Sequence, residues 1–135
     1  MLGGANPVGG SNPSGVGTSL NYVGNHCYAN SGAVAITSGD TATLLNFTTG
    51  SKYIMATITG GRNMKATAET FTKILLDDQE VFRSKYDNGA GQTLVPPFNT
   101  NIYMLIPPYT KFVLTCAPED ANETISIILV GEVYG

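Results

Sequence analysis

Residues 124–133 read Thr124-Ile125-Ser126-Ile127-Ile128-Leu129-Val130-Gly131-Glu132-Val133, and this stretch decides the fold class. Ile125, Ile127, Leu129 and Val133 share one face of an extended chain, while Thr124, Ser126 and Glu132 lie on the other. That period of two marks a half-buried β-strand. Gly131 interrupts the pattern and predicts a bulge.

Upstream the same alternation recurs. Phe112, Leu114 and Cys116 alternate with Lys111, Val113 and Thr115, and Ile102, Met104 and Ile106 alternate with Asn101, Tyr103 and Leu105. Pro107-Pro108 stops the earlier of these strands, and Tyr109-Thr110 turns the chain into the next. Cys27–Thr37, Thr41–Thr48 and Tyr53–Thr59 are further strands, with Val34/Ile36 and Leu45/Phe47 facing inward. Gly39-Asp40, Thr49-Gly50-Ser51 and Gly60-Gly61 supply the turns between them.

Met64–Tyr86 is ambiguous by periodicity alone. Met64, Ala68, Phe71 and Leu75 fit a helical spacing. The β-branched Thr67, Thr70 and Thr72 oppose a helix, and Asp77-Asp78 suits a hairpin tip. Two strands are therefore predicted, Lys65–Leu76 and Gln79–Tyr86. Asp87–Thr100, with Asn88-Gly89-Ala90-Gly91 and Pro96-Pro97, reads as a long exposed loop. About eight strands separated by turns predict an all-β protein, an antiparallel jelly-roll-like β-sandwich.

The start of the chain is different in kind. A six-residue repeat runs Gly3-Gly4-Ala5-Asn6-Pro7-Val8, Gly9-Gly10-Ser11-Asn12-Pro13-Ser14, then the decayed Gly15-Val16-Gly17-Thr18-Ser19-Leu20. None of the first 39 residues carries a formal charge. Gly, Pro, Asn and Ser offer too little apolar surface to offset backbone ordering, so such a segment gains order only by lying on its own domain or a neighbour. The expected organisation is an extended Gly/Asn/Pro-rich arm over residues 1–24 and a sandwich domain over 25–135. Residues before proline avoid the helical region, which holds the Asn-Pro steps extended. An arm of about 20 residues then reaches at most about 65–70 Å. Its backbone groups suit addition to a partner's sheet edge. Leu2, Asn6, Pro7, Val8, Asn12, Pro13, Val16, Leu20 and Tyr22 are the candidate partner-binding residues.

Composition narrows the function. Charged residues make up 13% of the chain, all at or after Asp40, against roughly 25% in an ordinary soluble domain. A surface so poor in charge suits a subunit covered by identical neighbours. A net charge of −3 argues against nucleic acid, which demands clustered Lys and Arg. No stretch approaches the ~20 apolar residues of a membrane span. The first residues lack a basic segment followed by an apolar run, so a soluble protein made in a cytosol is expected. Cys27 and Cys116 would tie an early strand to a late one if paired and are small core hydrophobes if not; the absent signal favours thiols. Asn46-Phe47-Thr48 and Asn122-Glu123-Thr124 match the glycosylation pattern by chance in a Thr-rich chain.

Little points to catalysis. His26 is the sole histidine, and its neighbour Cys27 projects from the opposite face of the same strand, so the two do not share a metal. Acidic residues cluster at Asp77-Asp78-Glu80 and at Glu119-Asp120-Glu123; the second cluster, in a turn after Pro118, is expected to face water, with a Ca²⁺ site of loop oxygens as the alternative, although its spacing fits no EF-hand. The repeated glycines lack the Lys-Ser/Thr of a phosphate loop. Tyr22, Tyr86, Tyr103, Tyr109 and Tyr134 suit the sandwich rim, a subunit contact or a sugar. No catalytic residue, metal or cofactor is expected.

Three segments carry a family likeness: Ile74-Leu75-Leu76-Asp77-Asp78-Gln79-Glu80-Val81, Ile106-Pro107-Pro108-Tyr109-Thr110-Lys111-Phe112 and Ile128-Leu129-Val130-Gly131-Glu132-Val133-Tyr134-Gly135. With the uncharged arm, the chain resembles small single-jelly-roll structural proteins of tailed phages and related viruses. The resemblance implies a non-enzymatic virion protein that decorates a capsid, caps a vertex or serves as a minor capsid component. Its expected partners are itself, as a trimer or pentamer, and other capsid proteins. Its expected place is the outer capsid surface after synthesis in the host cytoplasm, because the uncharged arm departs from the basic arms of genome-facing coats. The rival expectation is a receptor- or carbohydrate-binding tip module of a fibre or tail, using tyrosines and the 87–100 loop. A small hydrolase is a third, requiring a buried acid/base pair.

Overall fold

The computed structural model describes residues 20–62, 69–87, 101–119 and 122–135. Among them there are ten strands: β1 (Asn21–Val23), β2 (His26–Asn30), β3 (Val34–Ile36), β4 (Ala42–Thr48), β5 (Tyr53–Arg62), β6 (Glu69–Leu76), β7 (Gln79–Asp87), β8 (Ile102–Ile106), β9 (Lys111–Pro118) and β10 (Glu123–Tyr134). No described residue is helical, so the β-branched threonines of the ambiguous segment prevail over its helical spacing.

The strands form two antiparallel sheets. One runs β1-β2-β10-β5-β8, with β3 also on β10; the other runs β4-β9-β6-β7. The pairs β2–β10, β4–β9, β5–β8 and β6–β7 are nested, early strands with late ones. A long antiparallel ribbon wound upon itself in this way is a jelly roll. The eight expected strands are its eight topological strands. The count rises to ten because β2 and β3 are one strand interrupted at residues 31–33, and because β1 adds an edge.

Several local expectations change. Gly131 makes no bulge: β10 keeps unbroken register through it with β2 on one side and β5 on the other. A Cβ there would lie 2.6 Å from Ile54 Cγ2 and 2.9 Å from Cys27 Sγ, so the glycine serves close packing instead. Gly60 and Gly61 make no turn either. They pair with Ile127 and Ser126 of the twelve-residue β10, whose long ladder carries the neighbouring strand past its glycines. The bulges fall at Leu44 in β4, between Thr43 and Leu45, and at Val81 in β7, opposite Ile74 and Leu75 of β6. The first turns both Leu44 and Leu45 into the core.

The core lies between the sheets. β10 contributes Ile125, Ile127 and Leu129, β9 contributes Phe112, Leu114 and Cys116, and each set is buried as its alternation requires. Phe47 stacks on Phe112 with ring centroids 4.9 Å apart. At one end, Thr49 joins two turns: its Oγ1 accepts from the Thr110 amide at 2.8 Å and donates to the Pro107 carbonyl at 2.7 Å. The Asp77-Asp78 tip has positive φ at both residues, 50° and 69°, as a two-residue hairpin turn demands.

The boundary at residue 24 moves. Leu20 is 0% exposed within the core, and β1 pairs with β2, so residues 20–23 belong to the sandwich. Hydrophobic burial of Leu20 and Tyr22 holds this piece of the expected arm in place.

Candidate functional site

Period-two alternation gives the six-stranded sheet an outer face as well as a core face, and that outer face is apolar where water would favour polar residues. One row across the sheet reads Asn21, Tyr28, Val130, Thr57 and Tyr103 in register. The next reads Val23, His26, Glu132, Met55 and Leu105. Ile128 lies beside Asn30 and Thr59, and Tyr134 beside Tyr53. Eight of these side chains are large, apolar or aromatic, and exposed, from Val130 at 40% to Tyr103 at 72%. With 150–250 Å² on an aromatic side chain and somewhat less on an aliphatic one, they offer on the order of 800 Å² to solvent. The largest patch of a typical monomer is about 300–600 Å².

A shallow depression of about 350 Å³ opens on this face between β10, β5 and β8. Met55, Thr57, Tyr103, Val130, Glu132 and Tyr134 line it. The Tyr134 hydroxyl donates to Glu132 Oε2. That hydrogen bond, with the carboxylate's negative charge, raises the Tyr134 phenol above its ordinary pKa. The Tyr134 ring stacks on Tyr53 with centroids 5.5 Å apart. Among the described residues of this face Glu132 is the one carboxylate, and no Lys or Arg side chain is described on it. Charge collects on the other sheet, where Arg83 holds Glu80 through two 2.9 Å hydrogen bonds and lowers its pKa.

The predicted site residues distribute unevenly. Leu2, Asn6, Pro7, Val8, Asn12, Pro13 and Val16 lie outside the described residues. Leu20 is buried in its own core, and Tyr22 is half-buried against it, its phenol pushed up to about 12 by burial and by Cys27. His26 is exposed on the apolar face, with Cys27 buried on the opposite side of β2. Cys27 and Cys116 are buried thiols rather than a disulfide. Glu123 overturns one expectation: it begins β10 opposite Ile36 and is buried, whereas Glu119 faces solvent. Among the described residues no three His, Cys, Asp or Glu side chains converge on a metal position.

Tyr103 and Tyr134 lie on the sheet face rather than at the rim, and Tyr109 projects from the turn at 108–109. Sequence alternation missed Ile128, Val130, Met55, Val23 and Tyr28 as surface residues. The signal was present in Ile127-Ile128-Leu129-Val130, where the even positions should have been polar if one face met water. No protein-family model matches the chain, and no curated protein matches it significantly.

Proposed function

We propose that this chain is a non-enzymatic virion structural protein, an outer-capsid decoration, vertex or minor capsid jelly roll. It forms homo-oligomers and anchors to neighbouring capsid subunits through its uncharged N-terminal arm. The observation that carries this reading is the outer face of the six-stranded sheet, broad, apolar and, among the described residues, almost without charge. Contiguous apolar surface beyond a few hundred Å² marks an interaction site in a soluble chain. The scarcity of charge across the whole sequence supports it, since an assembled subunit shares most of its surface with neighbours.

The test is the solution mass of the full chain by light scattering, beside a chain starting at Leu20. An oligomer in both forms supports the proposal and reserves residues 1–19 for other shell proteins. A monomer in both, at concentrations up to about 100 μM where even modest interfaces associate, overturns it.

The depression beside Tyr103 favours a second function, a carbohydrate-binding tip. A sugar ring would stack on Tyr103 while Glu132 accepts its hydroxyls. Glycan-array binding that Tyr103→Ala abolishes would select this function over assembly.

A further inference from the structure

We propose that the outer face of the six-stranded sheet packs against the same face of a second copy, so that the solution species is a two-fold dimer. This rests on the assembly reading above and adds the partner surface and the symmetry. Three observations support it.

The first is area. The eight exposed side chains supply on the order of 800 Å² per copy, which is about what each partner contributes to a standard-size stable interface. A second copy is therefore sufficient to cover the face. A smaller ligand in the 350 Å³ depression would leave Val23, Tyr28 and Ile128 in water.

The second is charge. Each copy carries a net charge of −3, so two copies repel unless they meet where charge is sparse. Among the described residues this face holds only Glu132, already engaged by the Tyr134 hydroxyl, whereas the other sheet holds Arg83, Glu80, Lys73 and Lys111. Two-fold packing of the other sheet would set those charges against their own copies. Packing of this one sets valine, tyrosine, methionine and leucine against each other.

The third is shape and placement. A sheet face is broad enough to pack on another at about 10 Å, as the two sheets do within one sandwich. The side chains at issue span all five positions of the order β1-β2-β10-β5-β8, and β10 lies in the middle with Val130 exposed on it. A self-complementary face centred on one strand is what an isologous, closed contact requires.

The experiment measures the mass of the full chain and of Val130→Lys, Tyr103→Lys and Val81→Lys by light scattering over a dilution series. All three positions are exposed in the subunit, and unchanged unfolding midpoints verify that the variants fold. The expected result is a dimer of 14.2 kDa chains that Val130→Lys and Tyr103→Lys weaken at least about thirty-fold, the effect of losing one hot spot. Val81→Lys, on the other sheet, leaves the dimer intact. A short bismaleimide should join most Val130→Cys chains and only traces of Val81→Cys, because the native thiols are buried. A dimer indifferent to Val130→Lys overturns the face and leaves the assembly reading standing. A trimer or pentamer overturns the two-fold symmetry alone. A monomeric full chain overturns both proposals and gives the face to residues 1–19 or to another molecule.

Discussion

Ser31 holds both backbone groups of Ile127: its amide donates to the Ile127 carbonyl at 2.9 Å, and its Oγ accepts from the Ile127 amide at 2.8 Å. In a regular ladder a backbone carbonyl would take that amide. Here the chain leaves the sheet at Gly32, whose φ of +68° and contact with Asn30 Oδ1 turn it aside. The hydroxyl stands in for the missing carbonyl and donates its own hydrogen bond to Gly32 O at 2.7 Å. The first jelly-roll strand is thus broken into β2 and β3 without opening the buried ladder of β10.

Ser31→Ala removes that acceptor and leaves a buried amide unsatisfied, which costs about 1–3 kcal/mol. Ser31→Thr keeps the hydroxyl and should recover most of the loss. Urea midpoints of the two variants decide the matter: equal destabilisation by both would show that the hydroxyl is not the bridging group.

Gly131→Ala should be more damaging than a glycine-to-alanine change in an ordinary strand, which raises strand propensity. The new methyl would meet Ile54 Cγ2 at 2.6 Å, Cys27 Sγ at 2.9 Å and the Met55 carbonyl at 3.2 Å. Ile54 and Cys27 are both fully buried, so neither has room to yield. Overpacking of this kind costs about 1–3 kcal/mol, and thermal unfolding should shift down by several degrees. An unchanged melting temperature would mean that β2 and β5 yield beside β10 at no penalty.

The class of fold was legible because inward positions of β8, β9 and β10 alternate cleanly, and Ile125, Phe112 and Ile106 are buried as that alternation requires. Glycines misled: Gly60, Gly61 and Gly131 read as turns or bulges, yet each lies in continuous ladder, because pairing along β10 outweighs local preference. The break at Ser31 was invisible, since a serine side chain replacing a carbonyl is a tertiary event. Leu20 was assigned to the arm by composition, although its own side chain is core. The apolar outer face was written in Ile128 and Val130, and became readable only once β2, β5 and β8 set Tyr28, Met55 and Tyr103 beside them.

Asp78→Gly should stabilise the chain and Asp77→Gly should not. Both residues sit at positive φ in a two-residue turn, where glycine avoids the strain of an L side chain. Asp78 makes only a 3.5 Å contact with Lys111 Nζ, between exposed groups, which is worth little. Asp77 Oδ1 accepts from the Lys111 amide at 2.8 Å and so ties the tip to β9. A gain of about 0.5 kcal/mol for Asp78→Gly, beside a loss for Asp77→Gly, is the expected pair of denaturation results. The reverse order would assign the strain, rather than the hydrogen bond, to Asp77.

Stability should decline in alkali, and the group that begins the decline is Cys27. Burial pushes its thiol up to about 12 from an ordinary 9.0, against a smaller opposing effect of a hydrogen bond with the Gly131 backbone. Tyr22 is pushed up to about 12 from 10.0, by burial first and by Cys27 second. Both groups stay protonated in the fold at a pH where the unfolded chain has lost their protons. The unfolded state then binds fewer protons than the native one, so the free energy of unfolding falls as pH rises. The contribution is whole below about pH 9, where both states are protonated, and is lost progressively between pH 9 and 12. Cys27→Ala removes the thiol's share and delays the onset toward pH 10, where Tyr22 ionises in the unfolded chain. Urea midpoints between pH 7 and 11.5 should show the wild type declining first and Cys27→Ala holding level for about one further pH unit. Superimposable profiles for the two proteins would remove Cys27 from the account and leave the decline to the tyrosines, Tyr22 and Tyr134.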